Sequence, residues 1–114
     1  TFRELARVER LFERMQTDPD WTPGGGESAR QVAERFAGAL EGIAARHRGE
    51  RVVVVGHGGA LTLALGLLLD RDCATWRRVM DNCAVSDLVL APPKLLSFNE
   101  VAHLQVLAEE PADP

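Results

Sequence analysis

Cysteine is scarce in this sequence, positive charge is outnumbered, and no apolar run is long. The 114 residues include two cysteines, Cys73 and Cys83, enough for one bridge at most. With no charged-then-apolar leader at the start, two reduced thiols in a cytoplasmic protein are expected. Lys and Arg number 13 against 17 Asp and Glu, a net charge of −4. That balance argues against a general affinity for nucleic acid or acidic membrane, while leaving room for one small, locally positive pocket. The longest apolar stretch, residues 60–69, is far short of the ~20 needed to span a bilayer. His47, His57, His103, Cys73 and Cys83 fit no zinc-ligand spacing, so no metal site is expected. Repeats, low-complexity segments and interdomain linkers are missing, and the length suits one domain over residues 1–114. The first residue is Thr1 and not Met, as in a processed or incomplete product.

Helical periodicity comes first along the chain. Phe2, Leu5, Val8, Leu11, Phe12 and Met15 share one helical face, and Glu4–Arg7 and Arg10–Glu13 are spaced to pair on the other. Thr17-Asp18-Pro19-Asp20 breaks that helix, and "WTPGGG" from Trp21 is a loop. Ser28 with Gln31 three residues on reads as a capping box. The helix it starts has Val32, Phe36, Leu40, Ile43 and Ala44 as its inner face and Gly49 as its stop. Residues 52–55, four valines, read as the central strand of a covered, largely parallel sheet. Residues 60–69 read as a buried helix, and Asp72 as the cap of a short helix reaching Arg78. Residues 83–91 and 94–101 read as two strands of an antiparallel hairpin turning at Pro92-Pro93. The class is α/β. Three strands make a thin sheet, and a strand buried on both faces wants neighbours on both edges, so the sequence looks like part of a domain.

The stretch most charged with chemistry is Gly56-His57-Gly58-Gly59, where the valine strand feeds a helix. A helix start presents free backbone N–H groups and a partial positive charge, which suits an oxyanion. Glycines let the chain turn tightly and let a ligand come close. His57 adds a donor that can carry charge near neutral pH. The plain alternative is that His57 only caps the helix or satisfies a carbonyl; the coincidence of strand end, glycines and helix start favours a phosphoryl site. A dinucleotide fingerprint is ruled out by Leu61 in place of its third glycine, and a hydrolase elbow by His57 in place of serine.

"PGGGES" from Pro23 to Ser28, then "VVVVGHGGALTLAL" and "DNCAVSDLVL", resemble the C-terminal half of the histidine phosphatase superfamily, in its phosphoglycerate mutase-like branch. The resemblance runs from "TFREL" to "SFNEVAHL". It implies a three-layer αβα sandwich, here a partial phosphoglycerate mutase-like fold. It also implies a phosphohistidine intermediate, formed on a histidine of an Arg-His-Gly motif. A second histidine and arginines hold the phosphoryl oxygens, an acid protonates the leaving oxygen, and no metal or organic cofactor is needed. By this resemblance His57 is the second, catalytic and phosphate-binding histidine, and Gly58 supplies a backbone N–H to the phosphate.

The departure lies upstream: the chain contains no Arg-His-Gly motif, and the acid and arginine segments belong to the same missing part. Trp21, Glu27 and Asn82 are candidates to line the substrate pocket. Against that stand a packing role for Trp21, a helix-start charge for Glu27 and a turn role for Asn82. His47 and His103 read as surface or packing residues, Cys73 and Cys83 as small fillers. The resemblance thus implies a phosphatase or mutase acting on a small phosphorylated metabolite, of which this chain holds half the site and is inactive alone. The alternative is a non-catalytic remnant or interaction module of the same fold. The expected partners are a small phosphorylated substrate or phosphate ion, with no nucleic acid and no membrane. The bare strand edge is expected to be covered by a homodimer or by the N-terminal half.

Overall fold

Three alanines spaced by four, Ala29, Ala33 and Ala37, give one helix a narrow stripe against which a second helix can lie close. In the computed structural model, which describes residues 1–22, 24–73 and 80–104, this stripe and Leu40 are buried. The order of elements is α1 (Phe2–Thr17), α2 (Ala29–Arg46), α3 (Gly58–Asp70), β1 (Val85–Leu90), β2 (Pro93–Glu100) and a single 3-10 turn (Ala102–Leu104). Ala37, Leu40 and Ala64 form the centre of the core, with Phe36, Leu67, Leu68 and Leu90 packed around it. The inner face of α2 is therefore rotated from the expected one. Val32, Ile43 and Ala44 are only half-buried, because close approach of two helices is set by the small residues and the larger ones flank the contact.

The helix starts follow the sequence. Ser28 accepts from the Gln31 N–H at 3.1 Å, and its own N–H donates to Gln31 Oε1 at 2.8 Å, closing the capping box. Thr1 and Glu4 close another at α1, so Glu4 turns to the chain start and not to Arg7. Helix α1 ends at the expected break, with Asp18 as its cap, but Phe2 and Leu5 on its apolar face are 93% and 63% exposed. Helix α3 is buried in its middle turn, Ala64 to Gly66, and half-covered elsewhere. Among the described residues no helix is long and apolar enough to cross a membrane. The short helix expected after Asp72 falls at residues 74–79, outside the described residues.

The hairpin appears as read. β1 and β2 pair antiparallel, joined through Ala91 and a cis Pro92, and the register slips twice, between Val85 and Asp87 and between Asp87 and Leu88. Its residues touch the helices, β1 on α2 and β2 on α3.

The four valines 52–55 depart most from expectation. They form no strand, and the two-stranded hairpin is the sheet of the described residues. Exposure alternates along them at 43%, 85%, 42% and 92%, the two-residue rhythm of extended chain with one side turned inward. The parallel central strand is absent because a strand takes its hydrogen bonds from neighbours, and the hairpin pairs only with itself. Among the described residues this is a small α/β arrangement of helices and a two-stranded antiparallel sheet, and the expected three-layer sandwich does not appear among them. The surface is 8865 Å², against about 6,200 Å² for a compact monomer of this mass.

Ser28 is 3% exposed, and its loss leaves the Gln31 N–H at the start of α2 without its side-chain acceptor. Ser28→Ala should lower unfolding free energy by about 1 kcal/mol, read from the urea midpoint; an unchanged midpoint would show that the cap is redundant.

Candidate functional site

The valine segment delivers Gly56 and His57 to the first turn of α3. His57 occupies the N-cap position in extended conformation, φ −87° and ψ 138°, and its side chain makes no capping hydrogen bond. Its carbonyl instead accepts the first helical bond, from the Leu61 N–H at 3.0 Å. The imidazole is thus exposed and uncommitted to the cap, contrary to the plain helix-cap reading. The N–H groups of Gly58, Gly59 and Ala60 precede that first bond and have no carbonyl four residues back within the helix. They and the helix dipole present positive potential at the end where His57 stands.

Two of the glycines are fitted to their surroundings. At Gly58 an added Cβ would lie 3.4 Å from the Met80 Cβ and 3.5 Å from its carbonyl oxygen, and at Gly56 it would lie 3.5 Å from Leu61 Cγ. Gly59 faces open space. The tip is therefore backed by Met80 and Leu61 on one side and open on the other. Thr62 donates its hydroxyl to the Gly58 carbonyl at 2.6 Å, bracing the turn from below.

The pocket candidates behave differently from one another. Glu27 is gripped by Arg35, with Nη2 to Oε1 at 2.7 Å and Nε to Oε2 at 3.0 Å. The hydrogen bond from the Arg35 guanidinium holds its carboxyl below the usual range. The pair sets Glu27 as a charge beside the start of α2. Trp21 is half-buried with the Arg14 guanidinium 4.6 Å over its ring, a packing role within the loop before α2. Arg30 fastens that loop through Asp20 at 2.7 Å and, by its N–H, through the Pro19 carbonyl at 2.9 Å. Asn82 is exposed in a turn closed by the Ala84 N–H on the Asp81 carbonyl. It stands two residues after Met80, and so is the one pocket candidate whose own loop touches the tip.

The remaining titratable residues lie elsewhere. His47 is the C-cap of α2, 3.5 Å from Glu50, and His103 reaches the Cys83 carbonyl at 2.8 Å. Cys73 is buried, and burial pushes its thiol up, as for a small filler. Cys83 is exposed with φ 61°, so the filler role expected of it does not hold; it is a turn residue. The sequence reading missed Met80, whose contact with Gly58 has no signature in composition or spacing.

This arrangement, a histidine boxed by glycines at a helix start, sits in a chain that belongs to the histidine phosphatase superfamily (branch 1), whose sequence model matches residues 1–99. The chain is 42% identical over 84 residues to the metal-independent phosphoserine phosphatase of Arabidopsis thaliana, covering 72% of this chain and 34% of that protein. It is 46% identical over 64 residues to phosphoglycerate mutase-like protein 4 of the same plant, covering 53% and 27% respectively. The matches thus span about a third of each relative, or less. No solved structure matches the chain.

The Glu27–Arg35 pair gives a checkable sign. A carboxylate with a depressed folded pKa contributes stability above its unfolded pKa and loses it as pH falls through the folded value; on this exposed pair the contribution is small. Arg35→Gln should return the Glu27 pKa upward toward the ordinary carboxylate range, followed by NMR titration of its carboxyl carbon. A value unmoved by the substitution would remove Arg35 as the cause.

Proposed function

We propose that the protein carrying this chain is a phosphohistidine-forming histidine phosphatase acting on a small phosphorylated metabolite. In this reading residues 1–114 supply the second-histidine half of its site. His57 donates to the phosphoryl oxygens from its uncommitted position, and the Gly58 N–H adds a backbone donor. Fixed donors aimed where charge develops are the main resource for phosphoryl transfer, which asks little covalent chemistry of the protein. The observation that carries the reading is the exposed His57 imidazole at the mouth of α3, free of any capping bond.

The nucleophile comes from outside these residues. It is a histidine on a strand that pairs with the edge of residues 52–55, where unpaired backbone lies beside exposed valine side chains. Its ring nitrogen forms a bond to phosphorus as the ester oxygen leaves with a proton from an acid on the same segment. Water then cleaves the P–N bond, releasing phosphate and restoring the imidazole. With that strand in place the layers close into an αβα sandwich, and the chain alone is inactive because it has a cradle without a nucleophile. A metal-independent relative supports hydrolysis without a metal cofactor, and a phosphoserine phosphatase among the relatives supports a phosphomonoester substrate.

The intact protein should hydrolyse an aryl phosphate in the presence of EDTA, and His57→Ala should lower turnover by ~10²–10³ or more with the fold retained. The 114-residue chain should show no turnover. Activity abolished by EDTA and restored by a divalent metal would exclude the mechanism. A His57→Ala enzyme within about threefold of wild type, under ~1 kcal/mol, would return His57 to a structural role.

A further inference from the structure

Asn99 lies within β2 yet has φ 57°, a left-handed conformation that asparagine tolerates better than other side-chain-bearing residues. It sits where two residues of β2, Phe98 and Asn99, lie opposite one of β1, Ser86, between the Val85–Glu100 and Asp87–Ser97 pairs. Such a bulge re-aims the side chain it contains. The Asn99 amide is aimed at Asp81: Oδ1 accepts from the Asp81 N–H at 2.8 Å, and Nδ2 donates to Asp81 Oδ2 at 3.2 Å. Its own N–H donates to Ser86 Oγ at 3.0 Å, which fixes the bulge.

Four residues beyond Asn99, His103 Nε2 meets the Cys83 carbonyl at 2.8 Å. Asp81 and Cys83 are the first and third residues of the turn over 81–84, and Cys83 is itself left-handed at φ 61°. A positive φ at the third residue of a turn is usually given to glycine. A cysteine held there by a bonded neighbour marks a turn whose shape is imposed from outside. Asp81, Asn82 and Cys83 are all exposed, so this bonding adds little to packing. Its effect is positional. The residue just before the turn, Met80, stands beside Gly58, where an added Cβ would meet it in ordinary van der Waals contact.

We propose that Asn99 and His103 are positioning residues for the phosphoryl cradle. Together they clamp the turn over 81–84 at its first and third residues and so hold Met80 beside the start of α3, backing Gly58 next to His57. The clamp carries Asn82 between its two anchors. This rests on the phosphatase reading above, since what it positions is the donor pair of that site.

The test uses the intact protein and four variants. Asn99→Gly permits the left-handed backbone while deleting the amide; His103→Gln keeps a donor nitrogen at similar reach, and His103→Ala removes it. Asn99→Gly and His103→Ala should lower kcat/KM on 4-nitrophenyl phosphate by about 10- to 100-fold, as a small misplacement of reacting groups does. The melting temperature should stay close to wild type, and His103→Gln should restore activity to within about threefold. Independently of turnover, Asn99→Gly should speed amide hydrogen exchange about tenfold at Ala84, which closes the turn, and at Leu61, which makes the first bond of α3. Asn99→Gly turnover within threefold of wild type, or His103→Gln no better than His103→Ala, overturns the clamp. So does unchanged exchange at Ala84 and Leu61. A wild-type protein without phosphatase activity whose His57→Ala variant is equally inert refutes the phosphatase reading instead, and exchange alone then decides the clamp.

Discussion

A strand has no hydrogen bonds of its own, and that constraint governs the most consequential segment of this chain. Residues 52–55 lead straight into Gly56 and His57, so their backbone sets the direction in which the imidazole leaves the protein. Their donors and acceptors have no strand partner among the described residues and are left to solvent, the state of an open edge. The valine side chains, 42% to 92% exposed, carry apolar surface to match, each forgoing part of the ~1.5–3 kcal/mol that full burial gives. An edge of this kind is completed by another strand or managed by charge, bulge or proline. The four valines here have none of those devices.

What the chain does complete is the support behind the tip. The alanine stripe of α2 allows α3 to approach closely, and Ala64 on α3 is fully buried against it. The hairpin adds Leu90 to that core and, through its bulge, brings Asn99 to Asp81. Behind the first turn of α3 stand Met80 and Leu61, while Gly59 faces open space. Rigid support behind open donors is the arrangement that makes a helix start useful to an anion, because the donors need no reorganisation when charge arrives.

Local signals were legible in the sequence where they act over a few residues. The Ser28–Gln31 capping box, the break at Asp18 and the hairpin about Pro92 depend on neighbours within one turn or one loop and stand as read, while α3 starts at Gly58, two residues before the expected Ala60. Three things were not legible, for one reason: each depends on a partner distant in sequence. The valine strand needed neighbours that the described residues do not supply. The inner face of α2 was drawn around its largest side chains, whereas α3 selected the smallest. The contacts of Glu27 with Arg35 and of Trp21 with Arg14 join residues eight and seven apart that share no motif. At the candidate site, His57 and Gly58 stood out because a valine run, glycines and a helix start coincide in a few residues. Met80 was not, since its contact with Gly58 spans a stretch of chain with no shared motif.

The claim on which the rest turns is that the His57 tip receives a phosphoryl group. The direct measurement is a titration of the intact protein with inorganic phosphate, followed at backbone amides by NMR. Saturable shifts centred on Gly58 and Gly59, lost in His57→Ala, are the predicted result. Shifts centred elsewhere, or an unchanged response in His57→Ala, would contradict it.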